Sequence, residues 1–287
     1  MANATAARAK PPAGRKPGKK PSRKQRRIEK MRSKPPTRYL IVYDINGPRV
    51  RLGIGWFLLI CLAFVGEEVG LAALYGAAAA LGAWQAARAW KAWGAHPEEY
   101  TAGAIAGGMA VAGAFGPGWV GVVALGAIPI ALFSGVSTTG SRSQFFGSIG
   151  LTLQCGLFVG VAAACPPLIY QVEPGAVIGL IILVCVYEMG DFLIGSGSSN
   201  HAEGPIAGIA GVAVFTFAMA VVHLPPFDSY DIALFGAMAA VLCPLGQLLG
   251  SAILPRADAR ASGIRRLDSL LLLGPAWYFG LWPYLGI

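Results

Sequence analysis

Five charged side chains next to apolar segments carry whatever polar chemistry this chain does at a membrane: Glu188, Asp191, Glu203, Arg266 and Asp268. Glu188 and Asp191 lie three apart in VYEMGDFLIG, a spacing that places both on one face of a helix. Two carboxylates on one face repel unless they share a proton, a basic partner or a cation, and a hard cation such as Mg²⁺ prefers such oxygen ligands. Glu203 and Gly204 open the next apolar segment, where Glu203 favours the positive end of the helix. Arg266 and Asp268 stand in the basic loop of GQLLGSAILPRADARASGIRRLDSLLLLGPAWY, residues 246–278, at the mouth of the last apolar segment. An ionisable group there is costly to hold without a partner. The plainer reading of that loop is arginines obeying the positive-inside rule and Asp268 capping a helix. Convergence of the five would make a cytoplasm-facing pocket for a metal ion and phosphate.

The elements that must position these groups are membrane helices. Of 287 residues, 55% are hydrophobic and 13% charged, and the mean hydropathy is +0.58, far more apolar than a soluble domain. The 39 glycines suit helices that pack closely through small residues. Strand-period alternation is lacking, which argues against a transmembrane barrel. A spanning helix needs roughly 20 residues, and about nine segments are expected, at 52–65, 69–90, 101–115, 118–134, 144–164, 174–194, 204–222, 231–254 and 268–285. The predicted fold is thus an all-α polytopic membrane protein: a disordered basic tail at 1–38, a juxtamembrane segment at 39–51 and a helical membrane domain at 52–287.

The formal charge of +9 belongs mostly to the tail, since 16 of the 23 Lys and Arg residues lie between Arg8 and Arg51. Within it, KQRRIEKMR at 24–32 suits a short helix on the membrane surface. The tail's expected partners are anionic lipid head groups, not a specific nucleic acid. With the tail inside and nine alternating segments, the inside loops hold Arg88, Lys91, Arg142, Arg256, Arg260, Arg265 and Arg266, all seven remaining basic residues. The outside loops hold Glu67, Glu68, Glu173, Asp228 and Asp231. An even number of segments breaks this pattern. The expected location is a bacterial plasma membrane, with tail and site on the cytoplasmic side.

Other residues read more plainly. Cys61, Cys155, Cys165, Cys185 and Cys243 form no CxxC pair and read as small buried hydrophobes. His201 reads as a surface side chain, and the GSGS stretch before it matches no phosphate-binding fingerprint. His96, Glu98 and Glu99 read as a solvated helix start, Trp84, Trp90 and Trp93 as an interface belt, and Pro129, Pro225, Pro226 and Pro244 as kinks or loop residues.

The C-terminal half resembles the CDP-diacylglycerol synthases, or phosphatidate cytidylyltransferases. Gly246-Gln247-Leu248-Leu249-Gly250-Ser251 is similar to the family's Gly-Asp-Leu-x-x-Ser, and Ile264-Arg265-Arg266-Leu267-Asp268-Ser269 to its Leu-Asp-Arg-x-Asp-Ser. Residues 188–195 and Ala202-Glu203-Gly204 resemble an upstream motif, and Trp84-Gln85 an aromatic-Glu pair. The resemblance implies Mg²⁺ on Glu188, Asp191 and Asp268, catalytic roles for Arg266 and Asp268, and substrate contacts from Ser251, Arg266, Ser269, Glu203 and Gly204. It implies the joining of CTP and phosphatidic acid into CDP-diacylglycerol and pyrophosphate, with the phospholipid substrate, CTP and a homodimeric copy as partners. The chain departs from the family at Gln247 and Arg265, both in place of carboxylates, and in two shortened loops. Those departures motivate the alternative of a non-catalytic relative that binds lipid or a protein partner. A small-substrate transporter, with Glu188 and Asp191 as coupling sites, is the third reading.

Overall fold

The first helix begins at Arg49 and eight more follow among the residues described by the computed structural model. These are 49–136, 142–196, 200, 202–223, 225–257, 259, 261–286. The expected tail at 1–38, its surface helix, the stretch at 39–48, residues 137–141, residues 197–199 and His201 lie outside them. The helices are α1 (Arg49–Val65), α2 (Glu67–Lys91), α3 (Glu99–Gly113), α4 (Pro117–Val136), α5 (Arg142–Val172), α6 (Pro174–Gly195), α7 (Glu203–Val222), α8 (Ser229–Ile253) and α9 (Leu270–Leu285). A single 3₁₀ turn, Ile264–Arg266, precedes α9.

Local sequence accounts for several helix boundaries. Glu67 and Glu68 sit in the first turn of α2 and Arg88 and Lys91 in its last, each sign opposing the helix dipole. Glu173 caps α6 by accepting from the Gly175 N–H at 3.2 Å, with Pro174 at the first helical position. Asp228 caps α8, its carboxylate accepting from the N–H groups of Tyr230 and Asp231 at 3.0 Å each. Pro129 and Pro244 lie inside α4 and α8, whereas Pro225 and Pro226 lie in the α7–α8 loop.

The expected nine spans are corrected to six. Among the described residues, α2, α4, α5, α6, α7 and α8 are long and apolar enough to cross a membrane. Helices α1, α3 and α9 have 17, 15 and 16 residues. At about 1.5 Å per residue they reach about 26, 22 and 24 Å, short of a hydrocarbon core of about 30 Å. The protein is a helical membrane-spanning protein in which three short helices complete the bundle.

Successive helices nevertheless alternate in direction. Trp90 at the end of α2 donates its indole N–H to the Ile253 carbonyl at the end of α8, at 2.8 Å. The Glu98 N–H before α3 reaches Thr152 in the first half of α5, at 2.9 Å, and Ser148 of the same helix donates to the His96 carbonyl. At the opposite end, Gln171 of α5 donates to the Gly113 carbonyl closing α3 at 2.9 Å, and Tyr284 of α9 donates to the Pro226 carbonyl at 2.8 Å. Arg88, Lys91, Arg256, Arg265 and Arg266 therefore gather at one end, and Glu67, Glu68, Glu173, Asp228 and Asp231 at the other. Among the described residues that acidic end holds no Lys or Arg.

Helix α5 packs on α2, α3, α4, α6 and α9, and the core is built largely from alanine, Cys155, Cys165, Val159 and Ile169. Cys155, Cys165 and Cys243 are buried as small hydrophobes, Cys185 is half-buried, and Cys61 differs from the expectation in being exposed. The close approach of backbones is clearest at the basic end. A Cβ on Gly263 would lie 2.5 Å from the Gly82 nitrogen and 2.9 Å from the Ala78 carbonyl oxygen, so the loop before α9 rests directly on the α2 backbone. Gly246 and Gly250 of α8 similarly admit Asp268, which would abut any Cβ at either position.

Candidate functional site

That glycine-lined seat fixes the polar residues of the C-terminal loop. Gln85 of α2 accepts the Gly263 N–H at 3.0 Å and bonds the Ser262 hydroxyl at 3.3 Å, pinning the loop to α2. The 3₁₀ turn then projects Arg265 and Arg266, and Asp268 and Ser269 follow, both buried. Facing them, Tyr187, Glu188 and Asp191 stand on the last turns of α6, and Gln247 and Ser251 on the last turns of α8.

Among the described residues the following hydrogen bonds and ion pair form two polar clusters. In the first, Gln247 bridges α6 and α8: its amide N–H donates to the Asp191 carboxylate at 3.1 Å, and its amide oxygen accepts the Tyr187 hydroxyl at 3.1 Å. Asp191 is 4% exposed and Gln247 7%. In the second, Arg265 donates to Ser251 Oγ at 3.0 Å and to the Ala257 carbonyl at 2.6 Å, and its guanidinium lies 3.5 Å from the Asp268 carboxylate. Asp268 also accepts the Ser269 N–H at 2.9 Å, while the Ser269 hydroxyl donates to Glu188 at 3.2 Å. Burial pushes the Asp268 carboxyl up to about 6, and the Arg265 cation and the Ser269 N–H hold it from rising further.

Glu188 and Asp191 thus share a helix but bond different described residues. Tyr187 and Asp191, four apart, turn together to Gln247, and Glu188 turns to Ser269. Arg266, expected to act on phosphate, borders with Glu188 a cavity of about 10 Å³, further lined by Trp56, Tyr75, Cys185 and Leu270. That is room for about one water, against the roughly 300 Å³ and more of small-molecule sites. Glu203 is exposed at the start of α7 and Gly204 is buried there. His96 is exposed, whereas Glu98 and Glu99 are half-buried and Glu99 pairs with Lys91 at 3.9 Å, so the expected solvated helix start is only partly open to solvent.

The expected Mg²⁺ centre, and with it the Mg-dependent nucleotidyltransferase, is corrected. Among the described residues no group of three or more His, Cys, Asp or Glu is placed to hold a metal ion. Glu188, Asp191 and Asp268 do not pool their oxygens, because each carboxylate is held by a protein donor: Ser269, Gln247 and Arg265 respectively. Gln247 and Arg265, which read from sequence as losses, are the residues that hold two of the three. Tyr187 went unnoticed, although its four-residue spacing from Asp191 is a signal that sequence carries.

Gln247→Leu, of similar volume, takes a bond from both Tyr187 and Asp191. It is expected to lower stability by about 1–3 kcal/mol in chemical denaturation of the detergent-solubilised protein. Coupling between Gln247→Leu and Asp191→Leu in a double-mutant cycle checks the bridge, and strictly additive effects speak against it.

No protein-family model matches the chain, and no curated protein or solved structure matches it either.

Proposed function

We propose that the chain is a non-catalytic relative of the phosphatidate cytidylyltransferases, keeping their kind of helical framework as a lipid- or partner-binding membrane protein. The observation that carries this reading is the occupancy of the carboxylates by the chain's own donors, above all Arg265 on Asp268 and Gln247 on Asp191. An oxygen already satisfied by a guanidinium or an amide gives up that partner before it binds a cation, and a guanidinium at the same position repels one. The gathering of basic residues at one helix end supports lipid as the ligand, because anionic head groups meet the bundle at that depth.

The test uses the purified full chain in neutral detergent. A ligand that binds the folded state alone raises the melting temperature by mass action. Millimolar Mg²⁺ with CTP is expected to move it by less than about 1 °C, since neither finds a site. A rise of several degrees that Glu188→Gln abolishes would overturn the reading, as would CDP-lipid formed from phosphatidate above the background of Asp268→Ala.

A further inference from the structure

The small cavity between Glu188 and Arg266 lies where four elements meet. Trp56 and Ile60 of α1, Tyr75 of α2, Glu188 of α6 and Arg266 of the 3₁₀ turn line it, with Leu270 at the start of α9. Three of these side chains bring hydrogen-bonding capacity that the described residues do not use. The Ser269 hydroxyl takes one Glu188 oxygen, Oε1, at 3.2 Å, and the second oxygen has no donor among the described residues. The half-buried Arg266 side chain makes no hydrogen bond or ion pair with a described residue. Tyr75 is 2% exposed and its hydroxyl bonds no described residue, while its ring is held edge-on to Trp56, 6.2 Å between centroids at 83°. Polar groups at such depth are costly to leave without partners.

Charge and size select what can sit among them. An anion meets Glu188 and a cation meets Arg266, each a like charge, and an apolar group leaves all three side chains without a bond. A neutral molecule that both donates and accepts suits them: it donates to the carboxylate, accepts from the guanidinium and exchanges a bond with the Tyr75 hydroxyl. The volume of about 10 Å³ is the least that holds a water molecule, and a buried water needs two to four polar partners.

We propose that this cavity is a hydration site, in which one water molecule bridges Glu188, Arg266 and the Tyr75 hydroxyl and so joins α6, the turn before α9 and α2. The bridge goes beyond lipid binding, since it engages Glu188 and Arg266 whatever the bundle binds. It also gives the short helix α1 a role. That helix turns Trp56 and Ile60 onto the site and leaves Phe57, Leu58 and Leu62 exposed, so it covers the bridged polar groups with an apolar outer face.

The experiment is a density map of the full chain in neutral detergent at about 2 Å resolution, fine enough to show an ordered water. A single peak within about 3.2 Å of the Glu188 carboxylate, the Arg266 guanidinium and the Tyr75 hydroxyl is expected. A map without that peak, or with Arg266 bonded directly to Glu188, overturns the site. A double-mutant cycle of Tyr75→Phe and Arg266→Met, read by chemical denaturation, tests the bridge separately. Each single variant is expected to lower the folding equilibrium constant by about fivefold or more. Together they are expected to cost clearly less than the product of the two, because either change alone loosens the shared water. Effects that simply multiply overturn the bridge. The map decides the matter even where Arg266→Met fails to fold.

Discussion

Gly263→Val is expected to cost about 3 kcal/mol of stability, near the upper end for overpacking, and to lower the melting temperature and folded yield accordingly. A Cβ at Gly263 meets the Gly82 nitrogen at 2.5 Å, the Gly82 Cα at 2.6 Å and the Ala78 carbonyl oxygen at 2.9 Å. All three are backbone atoms of α2, so no side-chain rotation relieves the clash and the loop must lift. Lifting it breaks the Gly263 and Ser262 bonds to Gln85 and withdraws Arg265, Asp268 and Ser269 from α6 and α8. The control is Gly126→Val on α4, where a Cβ meets nothing within 4 Å and the cost is expected to stay within about 0.5 kcal/mol. Equal melting temperatures for the two variants would falsify the close seating of the loop.

Arg265→Gln is expected to lose about 3 kcal/mol at neutral pH, the lower end of what breaking a buried ion pair costs, because the arginine is itself 24% exposed. The loss should depend on pH. Asp268 has an ordinary value of 3.8 and a folded value of about 6. A carboxyl raised in this way favours the fold most below about pH 4, and that contribution is lost as the pH rises through about 6. Without the guanidinium the folded value climbs further. Variant and wild type therefore hold the same proton below about pH 6 and diverge above it, so the deficit widens from pH 6 to 8. Denaturation midpoints across pH 5–8 measure this, and a deficit that stays constant across that range means that Arg265 acts through packing and its bonds to Ser251 and Ala257 alone.

Among the described residues, Arg88, Lys91, Arg256, Arg265 and Arg266 gather at one end of the alternating helices, the grouping that loop charge alone suggests, and that grouping survives errors in segment length. Segment counting failed at α1, α3 and α9, where apolar runs of 17, 15 and 16 residues make helices too short to span. Hydropathy registers apolar character, and a short helix packed into a bundle has it too. The site was half legible. Ser251, Glu188, Asp268 and Ser269 do meet in one cluster across α6, α8 and the loop before α9, whereas Asp191 lies in the other with Gln247 and Glu203 remains exposed at the start of α7.

By itself, then, the sequence determined a helical membrane protein with alternating helices and a polar patch near the C-terminal loop, since composition and charge act locally and add along the chain. Only the tertiary structure decided what the patch does with its charges. Whether Asp191 faces Asp268 or Gln247 depends on helix rotation, and which of Arg265 and Arg266 reaches Asp268 depends on one 3₁₀ turn seated against Gly82, Gly246 and Gly250. A rotation of one residue, about 100°, exchanges those partners. No linear pattern fixes it, because the contacts that select it lie between helices far apart in the chain.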